Sequence, residues 1–249
     1  MKVAISMGSL HERFLRGELN NVSFVKYAAS LCVDGVELSD KYLPPDSQEL
    51  AEIRRVLEET GLEVACYALT SDLWEGDALR QAIATGLTLG ANCISLPGGE
   101  ATPEVVQGLN KVLPYIQEAG LTLCLEGGMP QGVAELIDRL DSPYIKSTFE
   151  MANYLLAGER PNSRIGLVRA TDLRLASPHE EAQSVLGFDG QHYVGSVLGL
   201  GLVQVQSLMQ ILQEQDYTGW IAVDFAGLEN PLFGIEASLK NLRQYLREL

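Results

Sequence analysis

The chain has no apolar run near the ~20 residues that a membrane-spanning helix needs. Its N-terminus has no basic segment leading into a long apolar stretch, so neither a membrane span nor a secretory leader is expected. Basic residues are scarce: 18 Lys and Arg stand against 33 Asp and Glu, a net charge of −15 with no basic cluster. Nucleic-acid binders carry basic surfaces that neutralise phosphates, so this balance argues against a nucleic-acid partner and for a small ligand. Histidine is rarer still, with three in 249 residues. The four cysteines, Cys32, Cys66, Cys93 and Cys124, stand far apart with no Cys-x-x-Cys or Cys/His spacing. They are expected to be buried free thiols of a cytoplasmic protein rather than disulfides or zinc ligands.

What is present is a regular alternation of short apolar runs and helical patterns. With 46% hydrophobic and 20% charged residues, the chain can bury a sizeable core, as one α/β barrel or two small domains. Apolar runs that end in polar or glycine-rich breaks predict strands at 2–6, 33–38, 62–67, 92–96, 121–126, 144–149, 165–172 and 220–225. Helical spacing falls between them, at 21–32, from Pro44-Pro45-Asp46-Ser47 to Gly61, at 77–89, from Thr102 to Gly120, and at 133–140, 151–157, 204–213 and 235–246. Residues 177–201 read as irregular and polar. Alternation implies a parallel sheet, and eight units in about 250 residues are the count of a single-domain (β/α)8 TIM barrel covering 1–249. The rival doubly wound sheet lacks its G-x-G-x-x-G turn: Ser6-Met7-Gly8-Ser9-Leu10 holds one glycine.

The most informative stretch is Leu121-Thr-Leu-Cys-Leu-Glu-Gly-Gly128. Its apolar continuity marks a strand buried on both faces. Alternation sets Thr122, Cys124 and Glu126 opposite the leucines. Glu126 thus stands at a carboxyl end, where α/β folds place their chemistry. Glu37, Glu150, Asp172 and Asp224 end or nearly end four other strands. Carboxylates gathered there repel one another, so the site needs a divalent cation, a basic side chain, or protons held at raised pKa. Oxygen ligands suit Mg²⁺ or Mn²⁺.

Four segments carry a family resemblance: Asp34-Gly35-Val36-Glu37-Leu38, Leu121 to Glu126, Ile145 to Asn153 with Ala157-Gly158, and Asp216-Tyr-Thr-Gly-Trp-Ile-Ala-Val-Asp224. In order and spacing, the chain resembles the xylose isomerase-like barrel superfamily, nearest its sugar phosphate isomerase/epimerase branch. The resemblance implies one divalent metal (Mn, Mg, Zn or Co) on a strand-five Glu, strand-six Asp, strand-seven His and strand-eight Glu. It also implies that the carboxylates of strands five and eight move protons between adjacent sugar carbons. Carried across, these positions are Glu126, Glu150, Arg169 and Asp224, and Asn153 replaces a His often used for substrate contact. Glu126 and Asp224 are then the catalytic candidates, and Asn153, Arg169, Asp172, Glu37 and His192 the substrate contacts.

Arg169 is the departure that matters, because a guanidinium stays protonated and cannot ligate a metal. Two readings follow. A metal survives on Glu126, Glu150 and Asp224 with water, His179 or His192 as fourth ligand, or Arg169 is itself the internal cation, with Lys146 a candidate for a second. His11 and the turns Pro97-Gly98-Gly99 and Gly127-Gly128 are further candidates for ligand contact, and Tyr67 and Trp74 for an apolar wall against a sugar ring. The expected activity is isomerisation or epimerisation of a small sugar through an enediol(ate). The rivals are a barrel that binds a metabolite without catalysis, and an endonuclease-like metallohydrolase of the same superfamily, which the few histidines and the negative charge oppose.

Overall fold

The computed structural model describes residues 1–45, 47–70, 76–98, 100–127 and 130–249. Seven strands follow in order: β1 (Lys2–Ser6), β2 (Gly35–Ser39), β3 (Glu63–Ala68), β4 (Ala91–Pro97), β5 (Thr122–Glu126), β6 (Ile145–Glu150) and β7 (Ile165–Ala170). Three short strands, β8 (Asp172–Leu175), β9 (Val185–Leu186) and β10 (His192–Ser196), precede the last, β11 (Trp220–Val223). Parallel pairing closes a barrel in the order β1-β11-β7-β6-β5-β4-β3-β2, while β8, β10 and β9 form a separate antiparallel sheet. The expected (β/α)8 barrel is therefore the observed fold.

The helices are α1 (His11–Leu15), α2 (Asn21–Ser30), α3 (Leu50–Thr60), α4 (Gly76–Leu89), α5 (Pro103–Ala119), α6 (Pro130–Leu140), α7 (Asn153–Leu156), α8 (Val205–Glu214) and α9 (Pro231–Glu248). None of the described helices is long and apolar enough to cross a membrane. Local sequence sets their ends. Asn20 and Ser23 form a reciprocal capping box that starts α2, and Thr102 caps α5 ahead of Pro103 in its first turn. Fully buried Phe24 on α2, Ile53 on α3, Ile116 on α5 and Leu136 on α6 pack on the outward leucines, valines and Phe149 of the strands. Each such side chain contributes roughly 1.5–3 kcal/mol when withdrawn from water.

Inside the barrel the residues are small. Ala4, Cys66, Ala68, Cys93, Cys124 and Ala222 form one buried cluster, with Leu167 and Trp220 toward its amino-terminal end. Leu123 and Leu125 face the helices while Cys124 faces the interior, as alternation along 121–126 predicts. Small interior side chains leave room for a long one to cross above them.

The structure corrects several expectations. Cys32 is exposed, unlike the other three thiols. The helix expected from Pro44 begins at Leu50, and Asp46 lies outside the described residues. Strand seven ends at Ala170, and the supposedly irregular loop carries the sheet of β8, β9 and β10. Asp172 explains the break. Buried at 3% exposure, its carboxylate accepts backbone N–H groups of Leu173 (2.8 Å), Gly199 (2.8 Å), Gly201 (2.9 Å) and Val203 (3.0 Å). Those bonds tie the start of the hairpin to the loop that leaves it.

Candidate active site

Arg169 reaches the barrel mouth because of an irregularity in β7. Ile165 packs outward, so strict alternation would send residues 167 and 169 outward as well. The pairing of β6 with β7 slips instead: Ser147 aligns with Ile165 and Thr148 with Leu167, leaving Gly166 as the extra residue of a bulge. That slip reverses the parity, and Leu167 and Arg169 turn into the barrel. Residue 166 has to be glycine here, since a Cβ would lie 2.5 Å from Cys124 Sγ and 3.1 Å from Lys146 Cβ.

From β7 the Arg169 side chain crosses the interior to strands on the other wall. Its Nε donates to both carboxylate oxygens of Glu37 on β2, each at 3.2 Å. Its Nη2 donates to Ser95 Oγ on β4 at 3.3 Å, and Nη1 lies 2.5 Å from Glu126 Oε2 on β5. The last contact is a buried ion pair. Side-chain exposure is 11% for Arg169, 4% for Glu37 and 16% for Glu126. Ser6 Oγ adds a 3.1 Å hydrogen bond to Glu37 Oε1, and Ser9 Oγ approaches Asp224 Oδ1 at 3.4 Å.

The electrostatics follow from this burial. Desolvation opposes the Arg169 charge, but Glu37, Glu126 and Asp224 outweigh it and hold the guanidinium protonated more firmly than usual. Burial pushes the Glu126 carboxyl up against the pull of Arg169. Asp224 is also raised, by burial and then by the Glu37 charge. Glu150, in register beside Arg169, is pushed up to about 7 from 4.5 by burial, with Asp224, Glu126 and Glu159 adding to it and Arg169 opposing.

A pH dependence follows. Between about 4.5 and about 7 the folded protein keeps a proton on Glu150 that the unfolded chain has released. Stability therefore falls as pH rises through that window and levels off above it, by about 3 kcal/mol if Glu150 acts alone. Denaturant midpoints at pH 5 and pH 8, for the wild type and Glu150→Gln, isolate this contribution. The Gln variant is expected to lose less stability between the two pH values; an equal loss in both proteins contradicts it.

Above Arg169 opens a cavity of about 460 Å³, lined by Ser6, Glu37, Tyr42, Glu126, Arg169 and Asp224 among others. It shares Gly8, His11 and Asp224 with a larger outer cleft of about 1060 Å³ that runs along residues 225–231. His11 Nδ1 shares a 2.7 Å hydrogen bond with the Tyr42 hydroxyl, and Phe14 stacks on the Tyr42 ring at 4.4 Å. The Tyr42 phenol, pushed up to about 12 by burial and then by Asp224 and Glu12, stays protonated. The volume lies within the range of small-molecule sites. Behind Glu126, Gly127 takes the left-handed backbone (φ +71°) that ends the strand, and the Gly98 N–H donates to the Glu126 carbonyl.

The expected site residues thus divide. Glu37, Glu126, Arg169 and Asp224 meet at the cavity, with Glu150 beside them in the sheet. Asp172 is committed to the loop bonds described above. The backbone carbonyl of Asn153 accepts from Ala157 and Glu159, and its side chain bonds the Glu159 carboxyl. His192 is exposed, with Nδ1 2.7 Å from Ser184 Oγ, and His179 is bonded to Ser177 Oγ on the exposed hairpin side. None of these four is among the cavity's described lining residues. Tyr67 is fully buried and donates to the Leu43 carbonyl, so it packs in the core rather than walling the cavity. Trp74, Gly99 and Gly128 lie outside the described residues. Sequence reasoning missed Ser6, Ser95 and Tyr42. Ser6 and Ser95 do break apolar strands near their carboxyl ends, whereas Tyr42 has no local signal.

The metal expected from the family pattern does not fit this arrangement. The guanidinium lies between Glu37 and Glu126, directly against the oxygens a cation would use, and offers no lone pair. Among the described residues, no three His, Cys, Asp or Glu side chains are arranged to hold a metal ion.

Fold and mouth together define a (β/α)8 barrel with a charged cavity at the carboxyl ends of its strands. Comparison with known proteins narrows the class. The model of the xylose isomerase-like TIM barrel family matches residues 25–245, and the chain belongs to that family. No curated protein sequence matches it. Similar solved structures include D-psicose 3-epimerase from Clostridium cellulolyticum with D-tagatose (14% identity, TM-score 0.71, 99% of both chains). They also include 3-keto-D-glucoside 4-epimerase from E. coli (17%, TM-score 0.71, 98% of this chain and 99% of that one). A third is the IOLI protein with a zinc atom (13%, TM-score 0.74, 100% and 99%). At such identities these likenesses concern the fold.

Proposed function

We propose that the protein isomerises or epimerises a small sugar or sugar-like carbonyl compound by proton transfer through an enediol(ate). The observation that carries this reading is that Glu126 and Asp224, from strands on different sides of the barrel, border one cavity that has Arg169 in its lining. The Glu126 carboxylate takes the proton from the carbon next to the carbonyl; the electron pair of that C–H bond becomes the C=C bond of the enediolate while the carbonyl π pair moves onto the oxygen. The Arg169 guanidinium holds the negative charge that develops there. Asp224 then delivers a proton to the opposite face of the same carbon, giving the epimer, or to the former carbonyl carbon while the enediol O–H proton passes to the former carbonyl oxygen, giving the isomer. Glu37 and Ser95 hold the guanidinium in place. Sugar epimerases among the similar structures support the substrate class without specifying the sugar.

The test is incubation of the wild type in D₂O with a panel of aldoses, ketoses and their phosphates. Deuterium is expected at a carbon adjacent to the carbonyl of at least one of them. Stable binding without deuterium uptake would favour the second reading, a metabolite-binding barrel without catalysis. The ion pair that occupies Glu126 is the feature that favours that alternative.

A further inference from the structure

We infer that Arg169 is a built-in cation that takes the divalent metal's place, so that the mouth excludes metal through Glu37–Arg169–Glu126 contacts and handles one substrate oxygen at a time. The inference stands whether or not the chain moves protons.

Four observations carry it. The guanidinium is internal, with 11% of its side chain exposed, and it reaches β2, β4 and β5 from β7. Its placement depends on the Gly166 bulge, where any larger residue would collide with Cys124. The interior beneath it is built of small side chains, which make way for the crossing. Finally, Glu37 is tied to this use, held by Ser6 on one side and by Arg169 Nε on the other.

The physical consequences are specific. A divalent ion on Glu126 would stand within a few ångströms of the guanidinium, and their like charges repel strongly in so poorly solvated a place. Expelling the guanidinium instead leaves it without its partners and requires a long side chain to repack. A metal can chelate two adjacent substrate oxygens, whereas a guanidinium whose three nitrogens already contact Glu37, Ser95 and Glu126 has few directed N–H groups left and offers them to one. The ligands that suit this mouth are thus compounds with a single enolisable carbonyl or carboxylate facing Arg169, rather than those recognised by chelation of a vicinal pair.

Mn²⁺ titration followed by the free-ion EPR signal tests the inference without reference to activity. The wild type is expected to leave the signal unchanged. Arg169→His supplies an imidazole with a lone pair beside Glu126, Glu150 and Asp224, and is expected to bind Mn²⁺ with loss of the signal. Stoichiometric binding by the wild type that disappears in Glu150→Gln overturns the inference. A folded Arg169→His protein that binds no Mn²⁺ overturns it too, because the guanidinium is then not what keeps metal out. Should Arg169→His fail to fold, the wild type decides with Glu150→Gln as control. No binding, or binding equal in both and therefore outside the mouth, supports the inference; binding lost in the control overturns it.

Discussion

Arg169→Met is expected to destabilise the fold by about 3–5 kcal/mol at neutral pH, the usual cost of removing one partner from a buried ion pair. Methionine approximates the length of the stem but leaves Glu37, at 4% side-chain exposure, facing Glu126 with no counter-charge. For a chain of this size, about 2–4 °C is lost per kcal/mol, so the thermal midpoint should fall by on the order of 10 °C. The deficit has a sign in pH: it shrinks as acid protonates Glu126, whose carboxyl burial already pushes up, because a neutral carboxyl no longer needs the cation. Adding Glu37→Gln to Arg169→Met should recover part of the loss, and the non-additivity measures the coupling. Midpoints of the single and double variants at pH 7 and pH 5 check this. A neutral Arg169→Met substitution would mean that the guanidinium is not the charge that holds the mouth together.

Glu126→Gln is expected to lower deuterium exchange at the carbon beside the carbonyl by about 10²–10⁴-fold, the usual contribution of a positioned general base. The amide keeps the shape of the side chain, and Arg169 retains both bonds to Glu37. Binding of the sugar should therefore change far less than turnover. Asp224→Asn serves as the companion: exchange out of the substrate is then expected to persist while conversion to the second isomer fails. Exchange that survives Glu126→Gln intact assigns the base elsewhere.

The barrel was legible in the sequence because each of its eight units repeats the same local signals. An apolar run ends on a polar residue or glycine and a helical pattern follows, with Thr102-Pro103 before α5 as the clearest capped start. Glu126 was legible for a similar reason, since parity along five residues of a regular strand fixes its face. Arg169 was found only through alignment with a family position. Parity alone, counted from Ile165, would have turned it outward, and the bulge at Gly166 reverses that count.

The contact between Arg169 and Glu37 joins residues 132 apart and depends on how far a flexible side chain reaches across the barrel. No local pattern encodes that distance. Asp172 shows the opposite error. Its acid at a strand end resembled the others, yet its partners are backbone N–H groups of 199–203, in a loop whose path is fixed only by the folded hairpin. His192 and His179 stood in a loop of plausible chemistry, but that segment folds into an antiparallel sheet with His192 exposed on β10 and His179 exposed in the turn after β8.

The position of the guanidinium is tested most directly by a crystal structure of the wild-type protein grown with millimolar Mn²⁺ and measured for anomalous scattering. Arg169 is expected between Glu37 and Glu126 with no anomalous peak in the mouth. A peak bound by Glu126, Glu150 and Asp224, with Arg169 swung away from Glu37, would contradict the assignment.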